Sequence, residues 1–321
     1  MRIAICSSFV PFINGGARFI VDWLADRLRV HGHEVEVIYL PMVETPNDLL
    51  QQMTSYRMLE LGDRVDRLIT TRPPAHVIPH PQKVAWFIHH FRVYYDMWDT
   101  PYRGFPDDAR HRALRDALVR ADTTALGEAH RLFSNSQVIA DRVKRFNGLD
   151  CEVLYPPLLD VSHFHAGSQG EEIVYICRME QHKRQHLLLE AFRYVKTPVR
   201  LRLCGSSSGV GYANELRARI QEWGLQDRVI YEDRWVTEQE KALWLSTALA
   251  AAYIPEDEDS YGYPSLEAAQ SAKPILTTTD SGGVLEFVED GRNGRIVPPE
   301  PRAGAGDRWL LEGSSAYRPH G

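Results

Sequence analysis

Ala248-Leu-Ala-Ala-Ala-Tyr-Ile254 is an apolar run of the length of one buried strand. It feeds directly into Pro255-Glu-Asp-Glu-Asp-Ser-Tyr-Gly-Tyr-Pro-Ser-Leu-Glu-Ala-Ala-Gln270. The last seven residues, from Pro264, open like a helix with proline at its first position. Between strand and helix lies a short acidic loop with one glycine, Gly262. A strand, a glycine-containing loop and a helix N-terminus are how an open α/β sheet presents backbone N–H groups to an anion. Two carboxylates bracket the loop, Asp259 and Glu267, with seven residues between them. Carboxylates do not bind phosphate, but they accept hydrogen bonds from sugar hydroxyls. A site offering both suits a ligand with sugars at its ends and phosphates in its middle, as in a nucleotide-sugar. Taken alone, the same acids read equally well as a solvated loop residue and a first-turn residue favoured by the helix dipole, worth about 0.3–1 kcal/mol.

The strand–helix alternation runs through the whole second half. Strands are predicted at residues 172–177, 199–204, 229–231, 274–278 and 294–297, and helices at 185–194, 213–223 and 238–246, with a short helix near 284–288. Such alternation predicts a parallel sheet covered on both faces. Three further features fall at carboxyl ends of these strands. Arg178 and, five residues later, Lys183 could neutralise a diphosphate, arginine through bidentate oxygen contacts and lysine as a point charge. Cys204-Gly205-Ser-Ser-Ser-Gly209 leaves room for a base or ribose. Asp280-Ser281-Gly282-Gly283 is a strand-to-helix turn that offers more N–H groups. Each is singly as readily structural; gathered at strand ends of one domain, they predict a nucleotide site.

The first half opens with the strand Arg2-Ile-Ala-Ile-Cys-Ser7, a Gly15-Gly16 turn, and Phe19, Ile20, Trp23, Leu24 and Leu28 at helical spacing. Gly32 ends that helix and Glu34-Val-Glu-Val-Ile-Tyr39 is the second strand. This is a Rossmann-like opening without the full G-x-G-x-x-G, so no dinucleotide is expected. Strands are predicted at 66–71 and 83–88. The latter runs into His89, His90, Arg92 and Asp96, polar groups crowded where open α/β sheets bind ligands. An arginine-rich helix at 107–120 reads either as a solvated face or as a peripheral contact with acidic lipid. Leu132-Phe-Ser-Asn-Ser136 is a short strand with a cap, followed by a helix to Phe146. After Pro156-Pro157 the periodicity fades. The expected organisation is a domain at 1–160, a linker at 161–170, a domain at 171–300 and an atypical tail at 301–321.

The composition is that of an ordinary globular chain: 321 residues, 44% hydrophobic and 25% charged, with a net charge of -6. No polyanion-binding surface is advertised, which argues against a nucleic-acid partner. The halves differ slightly, with 19 Lys and Arg against 20 Asp and Glu through Asp160, and 18 against 23 beyond. The cysteines Cys6, Cys151, Cys177 and Cys204 form no C-x-x-C pair, so metal or redox use is not expected. No charged-then-apolar leader opens the chain and no apolar run of about 18 residues could span a bilayer. The expected location is cytoplasmic, at most peripheral at the inner membrane face.

Together these motifs resemble glycosyltransferase family 4, retaining nucleotide-sugar-dependent enzymes of the GT-B fold, from Met1 to about Pro299. The family's glutamate–seven residues–glutamate signature is matched by Asp259 to Glu267, aspartate replacing the first glutamate, and takes in Tyr261, Gly262 and Tyr263. Arg178 and Lys183 match its diphosphate-binding pair. Ser281-Gly282-Gly283 and Glu286, then Asp290-Gly-Arg-Asn-Gly294, match its later glycine-rich segment. In the first half Gly15-Gly16 match the loop facing the donor, and His89 the histidine near the reacting sugar. His90 takes that place if the register slips by one. Phe133-Ser-Asn-Ser136 also resembles the family.

The resemblance implies two Rossmann-like doubly wound domains facing a cleft, the N-terminal one for the acceptor and the C-terminal one for the donor. It implies that Glu267 holds the ribose and Asp259 the donor sugar's hydroxyls. Gly15, Gly16, Gly205, Tyr261, Gly262, Tyr263, Ser281, Gly282 and Gly283 are then expected to line the donor site. Arg178 and Lys183 would stabilise the departing nucleoside diphosphate. With His89 and Asp259 they make up the expected catalytic set, acting without a metal or other cofactor, the leaving phosphate accepting the acceptor's proton. The co-substrate would be UDP- or GDP-linked, and the acceptor a saccharide, a lipid-linked group or a small molecule.

Two departures qualify that picture. Asp259 is one methylene shorter than the family's glutamate, which alters its reach to the sugar. After Pro298-Pro-Glu-Pro301 the chain lacks the periodicity of the helical tail with which the family continues, so a truncated or frame-shifted tail is expected. Two rivals share the motifs: a sugar-nucleotide 2-epimerase, and a nucleotide-sugar-binding protein with weak or no activity. A glycoside hydrolase would need Asp259 and Glu267 to flank one bond at about 5–9.5 Å, and leaves the cations without a purpose.

Overall fold

The computed structural model of the chain describes residues 1–10, 16–43, 45, 48–158, 160–207 and 209–302. Gly15 and the tail from 303 onward, both assigned roles or character above, lie outside the described residues. The chain divides into two compact units, Met1–Leu159 and Asp160–Gly321.

The first unit runs β1 (Arg2–Phe9), α1 (Gly16–Val30), β2 (Glu34–Pro41), α2 (Leu49–Arg57), β3 (Arg67–Thr70), β4 (Lys83–Phe87), α3 (Ala109–Gly127), β5 (Arg131–Ser134), α4 (Gln137–Asn147) and β6 (Glu152–Val153). The six strands lie in the order β2-β1-β3-β4-β5-β6. All pair in parallel. The two-residue period of β1 explains why both faces are covered. Ile3 and Ile5 pack with Val21 and Ala25 of α1. Ala4 and Cys6 point the other way, into a cluster with Met53 of α2 and Leu118 and Ala125 of α3. Local chemistry sets the helix ends. The Ser136 hydroxyl accepts from the Ile139 N–H at 3.1 Å to start α4, and Gly148 ends it at φ +68°. No helix is expected from the sequence where α2 forms. Its buried residues, Leu49, Met53 and Tyr56, are spaced i, i+4, i+7 within nine residues, too short a run to display a period.

The second unit runs β7 (Glu172–Ile176), α5 (Gln185–Phe192), β8 (Arg200–Cys204), α6 (Val210–Glu222), β9 (Val229–Glu232), α7 (Glu238–Thr247), β10 (Ala250–Ala252), α8 (Tyr263–Gln270), β11 (Ile275–Thr278) and β12 (Gly294–Val297). Its strand order, β12-β11-β10-β7-β8-β9, is the doubly wound order of dinucleotide-binding folds. The winding reverses between β7 and β10. Ligands of open α/β sheets bind beyond the carboxyl ends of the strands at that reversal. The Arg178–Lys183 segment follows β7 and the acidic loop follows β10, so topology alone brings them together.

Three details differ from expectation. The segment read as a linker is tied down at its end: Gly167 N–H donates to Ser246 O at 3.0 Å and Gly170 N–H to Thr247 O at 2.8 Å, where α7 finishes. The helix expected to begin at Pro264 begins at Tyr263, behind Gly262 at φ +70°, with proline second. The short helix near 284–288 is a 3-10 turn, Gly283–Glu286. Among the described residues no helix is long and apolar enough to cross a membrane.

Gly205 has a structural role that composition did not suggest. Its φ is +145°, and a Cβ there would lie 1.8 Å from the Cys177 carbonyl oxygen on the neighbouring strand end. Gly205→Ala is therefore expected to lower unfolding free energy by about 2–4 kcal/mol, read as a shifted urea midpoint. A shift below about 0.5 kcal/mol, the size of an ordinary surface change, contradicts the close approach.

Candidate functional site at the carboxyl edge of the second sheet

Residues Arg178 to Gln185 form the first wall. A 3-10 turn, Gln181–Lys183, leads to Arg184, whose φ of +56° is unusual for a side-chain-bearing residue and costs roughly 1–2 kcal/mol. What holds it there is its guanidinium. Arg184 Nε donates to Ile254 O at 2.9 Å. Nη2 donates to Pro255 O at 2.7 Å, Thr278 Oγ1 at 2.8 Å and Asp280 Oδ1 at 2.7 Å, and Nη1 to Asp280 Oδ2 at 2.7 Å. One buried fork thus joins the segments that leave β7, β10 and β11. Burial alone would lift the Asp280 carboxyl, but the Arg184 fork and the Thr278 hydroxyl outweigh it and hold Asp280 below the usual carboxylate range.

The acidic loop lies against the Ser281 turn as a short extra ladder. Asp257 N–H donates to Asp280 O at 2.9 Å, Glu258 N–H to Ser281 O at 3.3 Å and Gly283 N–H to Glu258 O at 2.8 Å. The approach is too close for side chains. A Cβ on Gly282 would lie 2.4 Å from Glu258 N, and one on Gly283 2.5 Å from Ser260 Cα. Two of the N–H groups of the Ser281-Gly282-Gly283 turn, expected to face an anion, have partners within the chain. The N–H of Gly283 is taken by the loop, and that of Ser281 donates to Thr278 O at 3.0 Å. Gly205 is also closely packed: its lack of a side chain admits the Cys177 carbonyl.

Lys183 and Arg178 flank the reversal point, each already facing a carboxylate. Lys183 is buried; its ammonium donates to Glu258 Oε2, and to the Tyr253 hydroxyl at 3.4 Å. Tyr253 is held in turn by Gly262, where a Cβ would lie 2.3 Å from the tyrosine ring. Arg178 is half-exposed and pairs with Glu180 at 2.9 Å, whose other oxygen lies 3.3 Å from His182 Nε2. Of the four consecutive acids, Glu258 rather than Asp259 meets the lysine. Asp259 is partly buried on the same loop.

Glu267 occupies a different environment from Asp259. It is 3% exposed, on the inner face of α8, and accepts from Lys241 Nζ of α7 at 2.6 Å. Lys241 also pairs with Glu238 at 2.7 Å. Burial pushes the Glu267 carboxyl up, with Lys241 opposing. Burial depresses the lysine too, but the two carboxylates outweigh it and hold Lys241 above its ordinary value. Tyr261 is buried with its ring 6.1 Å from that of Phe287, while Tyr263 is partly buried at the start of α8. The role of Lys241 was missed in the sequence. Its one available signal was the i, i+3 spacing from Glu238 inside a capped helix.

In the first unit the two histidines after β4 separate cleanly. His90 is built into the core. Its ring lies 4.8 Å from that of Phe87 and 4.2 Å from that of Tyr95, and its Nε2 sits 2.9 Å from Asn147 Oδ1. His89 is partly buried, with Nδ1 2.8 Å from the His90 carbonyl oxygen. A carbonyl can only accept, so Nδ1 carries a proton and Nε2 is the basic nitrogen of the neutral ring. Asp96 is claimed by Arg92 at 2.7 Å and Arg142 at 3.4 Å. Gly16 begins α1. Among the described residues no group of three His, Cys, Asp or Glu side chains gathers as a metal-ligand set.

The family described as "Glycosyl transferases group 1" matches residues 170–307, the part of the chain that carries this site. The alpha-1,3/1,6-mannosyltransferase ALG2 of Dictyostelium discoideum is 32% identical over 95 residues, 30% of this chain and 22% of that protein. The D-inositol 3-phosphate glycosyltransferase of Corynebacterium urealyticum is 28% identical over 141 residues, 41% of this chain and 32% of that one. The match thus spans about a third or less of these curated relatives. The crystal structure of Anabaena Alr3699/HepE in complex with UDP superposes with a TM-score of 0.70 at 18% identity, covering 99% of this chain and 92% of that one. The structural likeness establishes the fold, two doubly wound parallel sheets of the GT-B class. The sequence matches support a glycosyltransferase family.

Arg184→Lys keeps the charge and loses the fork, and is expected to cost about 2–4 kcal/mol in unfolding free energy. The loss should depend on pH. Asp280 binds its proton less tightly folded than unfolded. Its contribution is therefore complete above an unfolded value of about 3.9 and is lost as pH falls through the lower folded value. Unfolding curves at neutral and acidic pH should show the gap between wild type and variant narrowing with acid; a constant gap contradicts the pairing.

Proposed function

We propose that the chain transfers a sugar from a nucleoside-diphosphate sugar to an acceptor with retention of configuration. The observation that carries this reading is the meeting, at the winding reversal of the second sheet, of two cations after β7 with the Asp259–Glu267 loop after β10. The cations suit a diphosphate and the carboxylates suit hydroxyls. In this reading Arg178 and Lys183 neutralise the charge that grows on the departing nucleoside diphosphate, supplying electrostatic stabilisation without a metal. Asp259 holds the donor sugar and Glu267 the ribose. For Glu267 this requires a hydroxyl to share a carboxylate that Lys241 keeps oriented. His89 is the proposed catalytic group of the first unit, which takes the acceptor, and the Tyr261–Tyr263 stretch lines the donor site. The UDP bound by Alr3699/HepE supports a uridine donor among the candidates. The reaction is placed in the cytoplasm.

Thermal stabilisation by UDP and GDP tests the donor assignment directly. A ligand at one hundred times its Kd adds about 2.7 kcal/mol to folding stability. Wild type should gain in melting temperature with one of the two nucleotides, and Lys183→Ala should lose that gain. Undiminished stabilisation of Lys183→Ala contradicts the site. For Glu267 the informative change is Glu267→Gln, expected to remain folded and to weaken nucleotide binding at least tenfold, the size of one charge-assisted hydrogen bond. Glu267→Ala confounds this by also removing the oxygen that accepts from the buried Lys241 ammonium, a loss of up to about 3–5 kcal/mol in stability. Wild-type nucleotide affinity in Glu267→Gln overturns its ribose role. Binding together with silence in transfer assays across acceptors overturns catalysis and leaves a nucleotide-sugar-binding protein.

A further inference from the structure

Four acids in succession, Glu256 to Asp259, look interchangeable in the sequence, yet it is Glu258 whose carboxylate meets the Lys183 ammonium. Both partners are enclosed, with side chains 8% and 13% exposed, so water screens the contact weakly. An ammonium has three donors and no acceptor. Here one goes to Glu258 and another to the Tyr253 hydroxyl at 3.4 Å. A phosphate oxygen arriving at Lys183 would share that ammonium with a carboxylate, and like charges at one donor repel.

We infer that Glu258 is a built-in stand-in for donor phosphate, a carboxylate that must turn away from Lys183 before a nucleoside diphosphate can take its place. The inference rests on the reading of Lys183 as a diphosphate ligand. The backbone geometry says what moves. Residue 258 is pinned on both sides, its N–H donating to Ser281 O at 3.3 Å and its carbonyl accepting from Gly283 N–H at 2.8 Å. Gly282 and Gly283 leave no space for the loop to press closer. The exchange is therefore a side-chain rotation over a fixed backbone, and neighbouring Asp259 keeps its position while it happens. Glu180 holds Arg178 in the same manner at 2.9 Å, but with Arg178 half-exposed that pair is better screened and easier to displace. Two carboxylates thus hold the two cations assigned to two phosphates.

The consequence is a specificity and release device. Only a ligand bringing strong, localised negative charge competes with Glu258, so neutral sugars and nucleosides leave the Lys183 pair intact. When the nucleoside diphosphate departs, Glu258 returns to the ammonium and opposes rebinding. A residue that merely braces Lys183 has the opposite signature, because its neutralisation would loosen the lysine and weaken phosphate binding.

The sign of one substitution separates the two roles. Isothermal titration of the full chain with UDP and with inorganic pyrophosphate would compare wild type with Glu258→Gln. The expected result is binding of both probes about tenfold tighter in Glu258→Gln, the size of one charge-assisted contact freed from competition. Should Glu258→Gln fail to fold, Glu258→Asp, with its charge on a shorter arm, carries the same expectation at about threefold, roughly half that free energy. Equal or weaker binding in the folded variant, with wild type binding normally, overturns the inference and leaves the donor assignment standing. Folded wild type that binds neither UDP nor pyrophosphate overturns both.

Discussion

The carboxyl edge of the second sheet depends on one buried guanidinium. Arg184 reaches Ile254, Pro255, Thr278 and Asp280 with a single planar fork, so the loops leaving β7, β10 and β11 share one anchor. A lysine, with its three donors on one nitrogen at the end of a flexible stem, could not match the set as a planar fork does. The backbone at Arg184 accepts a left-handed conformation to make this possible. Strain of this kind persists only where surrounding contacts over-determine it. The fork is what allows the neighbouring cations and acids to be placed with precision on loops rather than on strands.

Around that anchor the packing is close enough to dictate glycine. Gly205 admits the Cys177 carbonyl, Gly262 admits the Tyr253 ring, and Gly282 and Gly283 admit the acidic loop. The glycines that resemble a ligand cradle in sequence are thus first a solution to loop-on-loop packing. That does not remove them from the site; it accounts for the close backbone approaches within it. A loop that touches its neighbour backbone to backbone holds the main chain at Glu258 in place without a helix or strand beneath it.

Much of the fold was legible in the chain because it rests on local signals. Buried parallel strands read as short apolar runs, and helices by their spacing and caps, as with Ser136 before α4. Where such signals were short they failed, as at α2, whose three buried residues span barely two turns. The site was legible only in part. Arg178, Lys183, Asp259 and Glu267 stood out by type and place. Their partners did not, because ion pairing joins residues far apart: Lys183 with Glu258, Lys241 with Glu267, Arg184 with Asp280. Nor could the sequence distinguish His89 from His90, which differ only in whether the ring turns toward Phe87, Tyr95 and Asn147.

By itself, the sequence determined the alternation of strands and helices, hence two doubly wound parallel sheets, and the placing of cations and acids just beyond strand ends. These follow from hydrophobic period and connection rules that act over a dozen residues. Only the tertiary structure decided which acid faces which cation, which glycines are obligatory and which carboxylate is enclosed. Those outcomes depend on the strand order β12-β11-β10-β7-β8-β9, which sets segments some seventy to one hundred residues apart side by side. At such separations charge and shape are matched through space, and no local pattern along the chain records the match.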